Sequence, residues 1–157
     1  MEDGLIRLRP LRIFDGPFLC NGLREKHVSA ANGLREPLSS SWLFVWWWIK
    51  RTFILAYCME CDSRRIGFIG LHNLRLGKSA EISLAIFGNE LRRHGYGTRA
   101  FRLLAQHLKR YSMIERVLAQ VRADNHSARS FCKRLGFGET GNLDGVVNMS
   151  MDLNSRP

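Results

Sequence analysis

"LRRHGYGT", residues Leu91–Thr98, decides how the rest of this chain is read. It sets Arg92, Arg93 and His94 directly against two glycines, Gly95 and Gly97. Glycine admits left-handed backbone angles and lets other atoms approach the main-chain amides. Cationic side chains beside such amides suit an anion. The stretch before it, "SAEISLAIF" (79–87), alternates: Glu81, Ser83 and Ala85 fall on one face, and Ile82, Leu84 and Ile86 on the other. That is a strand pattern. After it, Phe101, Leu104, Ala105 and Leu108 recur at helical spacing, which predicts an amphipathic helix from about Tyr96. A strand, a glycine loop and a helix start make an anion site by construction. The first helical turn leaves its N–H groups unpaired, and the helix dipole favours negative charge there. Arg92 and Arg93 add fork-like donors, and Gly95 and Gly97 are expected to clear room for the ligand.

Working outward, 157 residues predict one domain over 1–157, with 45% apolar and 24% charged residues, as in ordinary globular proteins. The longest apolar run, "WLFVWWWI", is far shorter than the ~18 residues of a spanning helix. The N-terminus "MEDGLIRLRP" lacks a basic-then-apolar signal pattern. A cytoplasmic protein without membrane contact is expected. Cys58 and Cys61 form a lone C-x-x-C with no second ligand pair, so no metal is expected. The pair follows a strand-like run rather than opening a helix, so it reads as chance cysteines near a hairpin tip. The net charge is +10, and between Arg92 and Arg134 eleven Lys and Arg face two acids, Glu115 and Asp124. A polyphosphate ligand or a nucleic acid would use such a stretch; a solvated helix face would also account for it.

The elements alternate. "LIRLRPL" (5–11) reads as a strand, and Asp15 ahead of Pro17 starts a helix over Pro17–Lys26. "SSSWLFVWWWIK" (39–50) predicts a second helix entered through cap-type serines. "TFILAYCME" and "RRIGFIGLHNL" are strands joined by a turn at Asp62 and Ser63. "ERVLAQVRA" is a strand, "DNHSARSFCKRLGF" a helix capped by Asn125 and ended by Gly136, and "GVVNMSMDL" a final strand. This order predicts an α/β fold with a mixed sheet.

Two familiar phosphate loops fail on these residues. The Walker loop needs a Lys before its Ser/Thr, and Gly97-Thr98 has none between. Gly95-x-Gly97-x-x-Ala100 approaches the dinucleotide fingerprint, but that motif follows the first strand of its unit and needs an acid ending the second. Arg92-x-x-Gly95-x-Gly97 instead resembles the Gln/Arg-x-x-Gly-x-Gly/Ala loop of the GNAT superfamily of N-acetyltransferases. Asn125, Ala128, Gly136 and Phe137 are in register with that family's C-terminal Asn-x-x-Ala/Ser … Leu-Gly-Phe helix, and "LIRLRPL" is similar to the opening strand of its ribosomal-protein-alanine acetyltransferase branch.

The resemblance implies a GNAT fold: a mixed, mostly antiparallel twisted sheet of six to seven strands with helices on both faces. It implies direct transfer of acetyl from acetyl-CoA to a primary amine of a small molecule or a protein N-terminus. Arg92, Arg93, His94, Gly95, Tyr96, Gly97 and Thr98 would hold the pyrophosphate, with Asn125 beside the coenzyme. The backbone of Leu84, Ala85 and Ile86 would pair with the pantetheine arm. Glu81 is the implied general base, with His72 the alternative. Cys132 stands where many members have a tyrosine that protonates the coenzyme thiolate; it also belongs to the apolar stripe of its helix, leaving Tyr96, Ser130 or solvent as donors. Trp42 and Trp46, four apart on the second predicted helix, are candidate acceptor contacts, with core or homodimer packing the other use of such rings. Two other readings stay open: a basic RNA- or ribosome-binding module, and a GNAT-fold protein that binds an acyl-CoA without transferring it. RNA-binding sheets interleave exposed aromatics with basic residues, a pattern the Arg92–Arg134 stretch lacks, which argues against nucleic acid.

Overall fold

The computed structural model describes residues 1–31, 55–111 and 113–154. The second predicted helix, with Trp42 and Trp46, lies outside the described residues. Seven strands form one sheet: β1 (Arg7–Pro10), β2 (Leu55–Cys61), β3 (Arg64–Arg75), β4 (Ser79–Ile86), β5 (Arg116–Arg122), β6 (Gly138–Leu143) and β7 (Val146–Asp152). Their order is β1-β2-β3-β4-β5-β7-β6, and every neighbouring pair is antiparallel except β4–β5, which is parallel. The described helices are α1 (Gly16–Leu23), α2 (Lys26–Ala31), α3 (Tyr96–Arg110) and α4 (His126–Leu135). The predicted mixed sheet is therefore present, with helices on both faces.

Burial follows the two periodicities. On one face, Phe101, Leu104 and Leu108 of α3 and Cys132 of α4 pack with Ile69, Leu71, Val117 and Met149 of the sheet. On the other, Leu19 of α1 and Val28 of α2 pack with Cys58 and Phe87. Gly22 lets α1 lie directly on the end of β4, since a Cβ there would sit 2.2 Å from the Phe87 ring. Cys58 and Cys61 both lie in β2, Cys58 fully buried and Cys61 half-buried ahead of the Asp62–Ser63 turn. Both turn residues have positive φ, 47° and 63°, as a tight hairpin requires.

The first helix departs from its prediction. It starts at Gly16, breaks at Arg24 and resumes as α2. Asp15 does not cap it with its side chain. Its carboxylate, 2% exposed, instead receives both Arg9 Nη atoms at 2.7 and 2.8 Å and the Arg12 N–H at 2.7 Å, with Arg65 at 3.4 Å. Arg9 also binds Glu60 through Nε at 2.6 Å. Burial opposes charge on Asp15, but the Arg9 guanidinium and the Arg12 amide outweigh it and hold the carboxyl below its ordinary range. A lowered folded pKa contributes stability above the unfolded value that is lost as pH falls through the folded one. Asp15→Asn should thus cost about 3–5 kcal/mol near neutrality. In acid its deficit should shrink, because the wild type is then losing the same charge. Urea titrations across that acid range check this; a deficit independent of pH would contradict it.

Candidate active site

The sheet forks at its centre. β4 pairs with β5 only at Ser79–Arg116, Ala80–Val117 and Glu81–Leu118; beyond Glu81 the two strands no longer pair. β3 covers the other edge of β4 along Gly67–His72. Backbone groups of successive strand residues point to alternate edges. Phe87 N–H donates to Ile66 C=O of β3 at 2.9 Å. By alternation, Ala85 and Ser83 also face β3, whereas Ile82, Leu84 and Ile86 turn their N–H and C=O groups into the fork. Of the three residues the resemblance nominates, Leu84 and Ile86 therefore offer backbone groups to the gap. Ala85 turns its carbonyl to Gly67, where a Cβ would come within 2.1 Å of it.

The loop sits at the mouth of the fork. A short 3-10 turn, Asn89–Leu91, leads into it, and Arg92, Arg93, His94 and Gly95 are exposed. Arg93 (φ 66°) and Gly95 (φ 82°) are both left-handed, and Gly95 is the N-cap of α3 with no side-chain cap. The first helical bond is Arg99 N–H to Gly95 C=O at 3.1 Å, so the amides of Tyr96, Gly97 and Thr98 have no acceptor within the helix. His94 Nδ1 lies 2.9 Å from Arg92 C=O and its ring stacks on Tyr96. A groove of about 500 Å³ runs from His94, Gly95 and Thr98 along Arg99 and Arg102. Gly97 has a packing role that its motif did not suggest. A Cβ there would meet Phe131 of α4 at 3.3 Å and Leu84 of β4 at 3.5 Å, so it allows close packing across the fork.

The face of β3 and β4 that packs against α1 and α2 gathers the titratable groups. His72 and Glu81 are direct cross-strand partners, with His72 Nε2 3.2 Å from Glu81 Oε2. The two candidate bases are one pair. Asn73 Nδ2 donates to Glu81 Oε1 at 3.0 Å, and Ser83 Oγ lies 3.3 Å from His72 Nδ1. Ser83 and Asn73 were not singled out from sequence, although the alternation already put Ser83 on the Glu81 face. At the far end of β4, Glu25 accepts the Gly88 N–H at 2.8 Å and His27 Nε2 reaches Ile86 C=O at 3.2 Å. The α1–α2 segment is thus tied to the fork wall.

The remaining predicted residues divide. Asn125 caps α4, its side chain accepting the Ala128 N–H at 3.1 Å. Tyr96 lies within 3.8 Å of Cys61 Sγ, and that contact with the thiol raises its hydroxyl pKa. Cys132 is buried, and desolvation raises its thiol. A buried neutral thiol without a charged partner is a poor acid. Cys132→Ala should therefore cost about 1–2 kcal/mol of stability through a small cavity and leave the single-turnover rate within about threefold. A hundredfold loss in a normally folded variant would make this cysteine the proton donor.

Among the described residues no group of three or more His, Cys, Asp or Glu could hold a metal ion, and no helix is long and apolar enough to cross a membrane. No curated protein matches the sequence. Solved structures match the fold closely. A domain from Methanocaldococcus jannaschii superposes with a TM-score of 0.83 at 17% identity, covering 94% of this chain and 97% of that one. An acetyltransferase from Salmonella typhimurium that modifies the N-terminal serine of a 50S ribosomal subunit protein gives 0.82 at 17% identity, covering 96% of each. Spermidine N-acetyltransferase from Vibrio cholerae, in complex with CoA and spermine, gives 0.75 at 21% identity, covering 96% and 97%. The acetyltransferase (GNAT) domain family matches residues 6–138, which include the fork, the arginine–glycine loop and α4. The chain belongs to that family, whose members take an acetyl group from acetyl-CoA.

Proposed function

We propose that this protein transfers the acetyl group of acetyl-CoA directly to a single primary amine, on a small molecule or a protein N-terminus. The observation that carries this is the fork: beyond Glu81 the strand β4 no longer pairs with β5, and Leu84 turns its N–H and C=O, and Ile86 its N–H, toward a gap that ends at the amide-rich start of α3, while the Ile86 carbonyl is met by His27. The amides from Arg93 to Thr98 take the pyrophosphate, with Arg92 and Arg93 supplying charge. The coenzyme's outer phosphates follow the groove past Arg99 and Arg102. Leu84 N–H is placed to hold the thioester oxygen as it gains charge. Glu81, at the apex of the fork, takes the ammonium proton through a water, with His72 beside it. Solvent is the better source for the thiolate's proton, because Cys132 is buried and the contact with Cys61, whose thiol donates to the Tyr96 oxygen, makes the tyrosine a weaker acid.

Acceptor choice follows from charge. Asp15 and Glu60 are held by Arg9, and Glu25 caps Gly88. Among the described residues packed on this face of β3 and β4 that leaves Glu81, itself bonded to Asn73 and beside His72, which suits one ammonium group better than a polycation. Trp42 and Trp46 remain candidate acceptor contacts. The proposal predicts a cytoplasmic enzyme working on amines rather than nucleic acid. An amine library containing N-terminal peptides, monoamines, polyamines and aminoglycosides, read as free thiol release, tests it. Peptides or monoamines should outpace polycations; the reverse order would overturn the acceptor assignment, and no amine-dependent release would overturn the activity.

A further inference from the structure

The same face of the fork holds a second chemistry. Ser83 Oγ, His72 Nδ1, His72 Nε2 and Glu81 Oε2 form a continuous chain, at 3.3 and 3.2 Å, and Asn73 anchors the far carboxylate oxygen at 3.0 Å. The carboxylate at Nε2 fixes the proton there, so Nδ1 carries the lone pair and faces the serine hydroxyl. This is the electronic logic of a serine–histidine–acid triad with the two ring nitrogens exchanged. Ser83 is one residue before Leu84, whose N–H points into the gap. A donor from the residue after the nucleophile is the arrangement that hydrolases of the nucleophile-elbow type use for their oxyanion. Hydrogen bonds of this kind are commonly long in an empty site and tighten around substrate.

We propose that Ser83, His72 and Glu81 form a nucleophilic triad that accepts the acetyl group when no amine is bound, giving the protein an acyl-CoA hydrolase activity. The inference rests on the coenzyme placement given above. Ser83 Oγ bonds to the acetyl carbonyl carbon while its proton passes to His72 Nδ1. The carbon–sulfur bond breaks, and the coenzyme leaves as a thiolate that takes this proton from the imidazolium. Water then attacks the O-acetyl-serine ester, giving its proton to Nδ1; Ser83 leaves as the ester's alkoxide and recovers that proton. One thioester and one water become acetic acid, released as acetate and a proton, and free coenzyme A. Glu81 stabilises the imidazolium in both halves, so the carboxylate that serves the amine reaction also serves this one.

The test uses acetyl-CoA with no amine present. Free thiol release is followed over time, and acid-quenched protein is examined by intact mass and peptide mapping. Wild-type protein should release thiol with an initial burst and carry one acetyl group on Ser83. Ser83→Ala and His72→Asn should lose the adduct and at least about tenfold of the steady release. Ser83→Cys should regain an acetyl adduct, now as a thioester. Calorimetry with coenzyme A and circular dichroism on every variant separate chemistry from binding and folding. Wild-type release in Ser83→Ala, or an adduct confined to other residues, overturns the triad. If the wild type binds coenzyme A and acetylates amines but releases no thiol without them, the triad alone falls. If it binds no coenzyme A, the parent reading falls and the triad with it.

Discussion

Gly97→Asp is expected to lower coenzyme A affinity by about 10²-fold or more, the loss that follows from removing charge-assisted hydrogen bonds of ~1.5–3 kcal/mol each. Two effects act together. The new Cβ would stand 3.3 Å from Phe131 Cζ and 3.5 Å from Leu84 Cδ2, so the carboxylate beyond it has no room between α4 and β4 unless the Phe131 ring or the start of α3 gives way. Any movement of the start of α3 displaces the amides of Tyr96, Gly97 and Thr98, which the pyrophosphate needs in register. The carboxylate then adds negative charge in the first helical turn, where the partial positive charge of the amides is meant for the ligand. Gly97→Ala separates the two terms. It keeps the tight contact and adds no charge, so its loss should be much smaller. Titration calorimetry on both variants, with circular dichroism to confirm folding, measures this. Unchanged affinity in a folded Gly97→Asp protein would falsify the pyrophosphate assignment.

The parts of this site that were legible in the sequence are those built from short-range pattern. The alternation in β4 gave the faces of Glu81 and Ser83, and the stripes of α3 and α4 gave their buried sides. The double glycine marked the helix start; that Gly97 also lets α3 pack closely on Phe131 and Leu84 depends on contacts distant in sequence and was not legible. The His72–Glu81 pairing was not legible, because it depends on a slip in register. At the hairpin end Arg75 faces Ser79, a register that would set His72 opposite Ile82. An irregularity between His72 and Arg75, with Asn73 at φ 50°, shifts the ladder by one residue and sets His72 opposite Glu81. A one-residue slip exchanges the faces of a strand, and neither hydrophobicity nor charge announced this one. β6 was missed for another reason. Its sequence, "GETGNL", is polar and exposed throughout: it is an edge strand, and its described contacts outside β7 are ion pairs from Arg129 and Lys133 of α4 to Glu139, which leave no apolar face to read. Asp144–Gly145, both at positive φ, was the available hairpin signal. The start of α1 at Asp15 was legible, with Pro17 in the first turn, but the capping was not: the Asp15 carboxylate is taken by Arg9 across the corner instead of by the helix amides.

Glu81→Gln is expected to lower the single-turnover rate of amine acetylation by about 10²-fold or more, the usual worth of a positioned general base, with coenzyme A affinity nearly unchanged. The substitution preserves shape, and the amide oxygen can still accept from Asn73 Nδ2. What changes is the side facing His72. An amide nitrogen there donates where the carboxylate accepted, so the imidazole must present a lone pair at Nε2 and carry its proton at Nδ1, toward Ser83. One substitution thus removes the base and turns the neighbouring histidine to the wrong tautomer, leaving neither group able to take the acceptor's proton through the other. His72→Asn offers the contrast. It leaves the Glu81 carboxylate in place, still held by Asn73 Nδ2, and removes only its partner on the other oxygen, so its loss should be smaller. Rapid-quench measurement at saturating acetyl-CoA distinguishes the two variants. Undiminished turnover in Glu81→Gln would hand the role to His72 or to solvent, and an equal loss in both would make the pair a single catalytic unit rather than a base with a positioning partner.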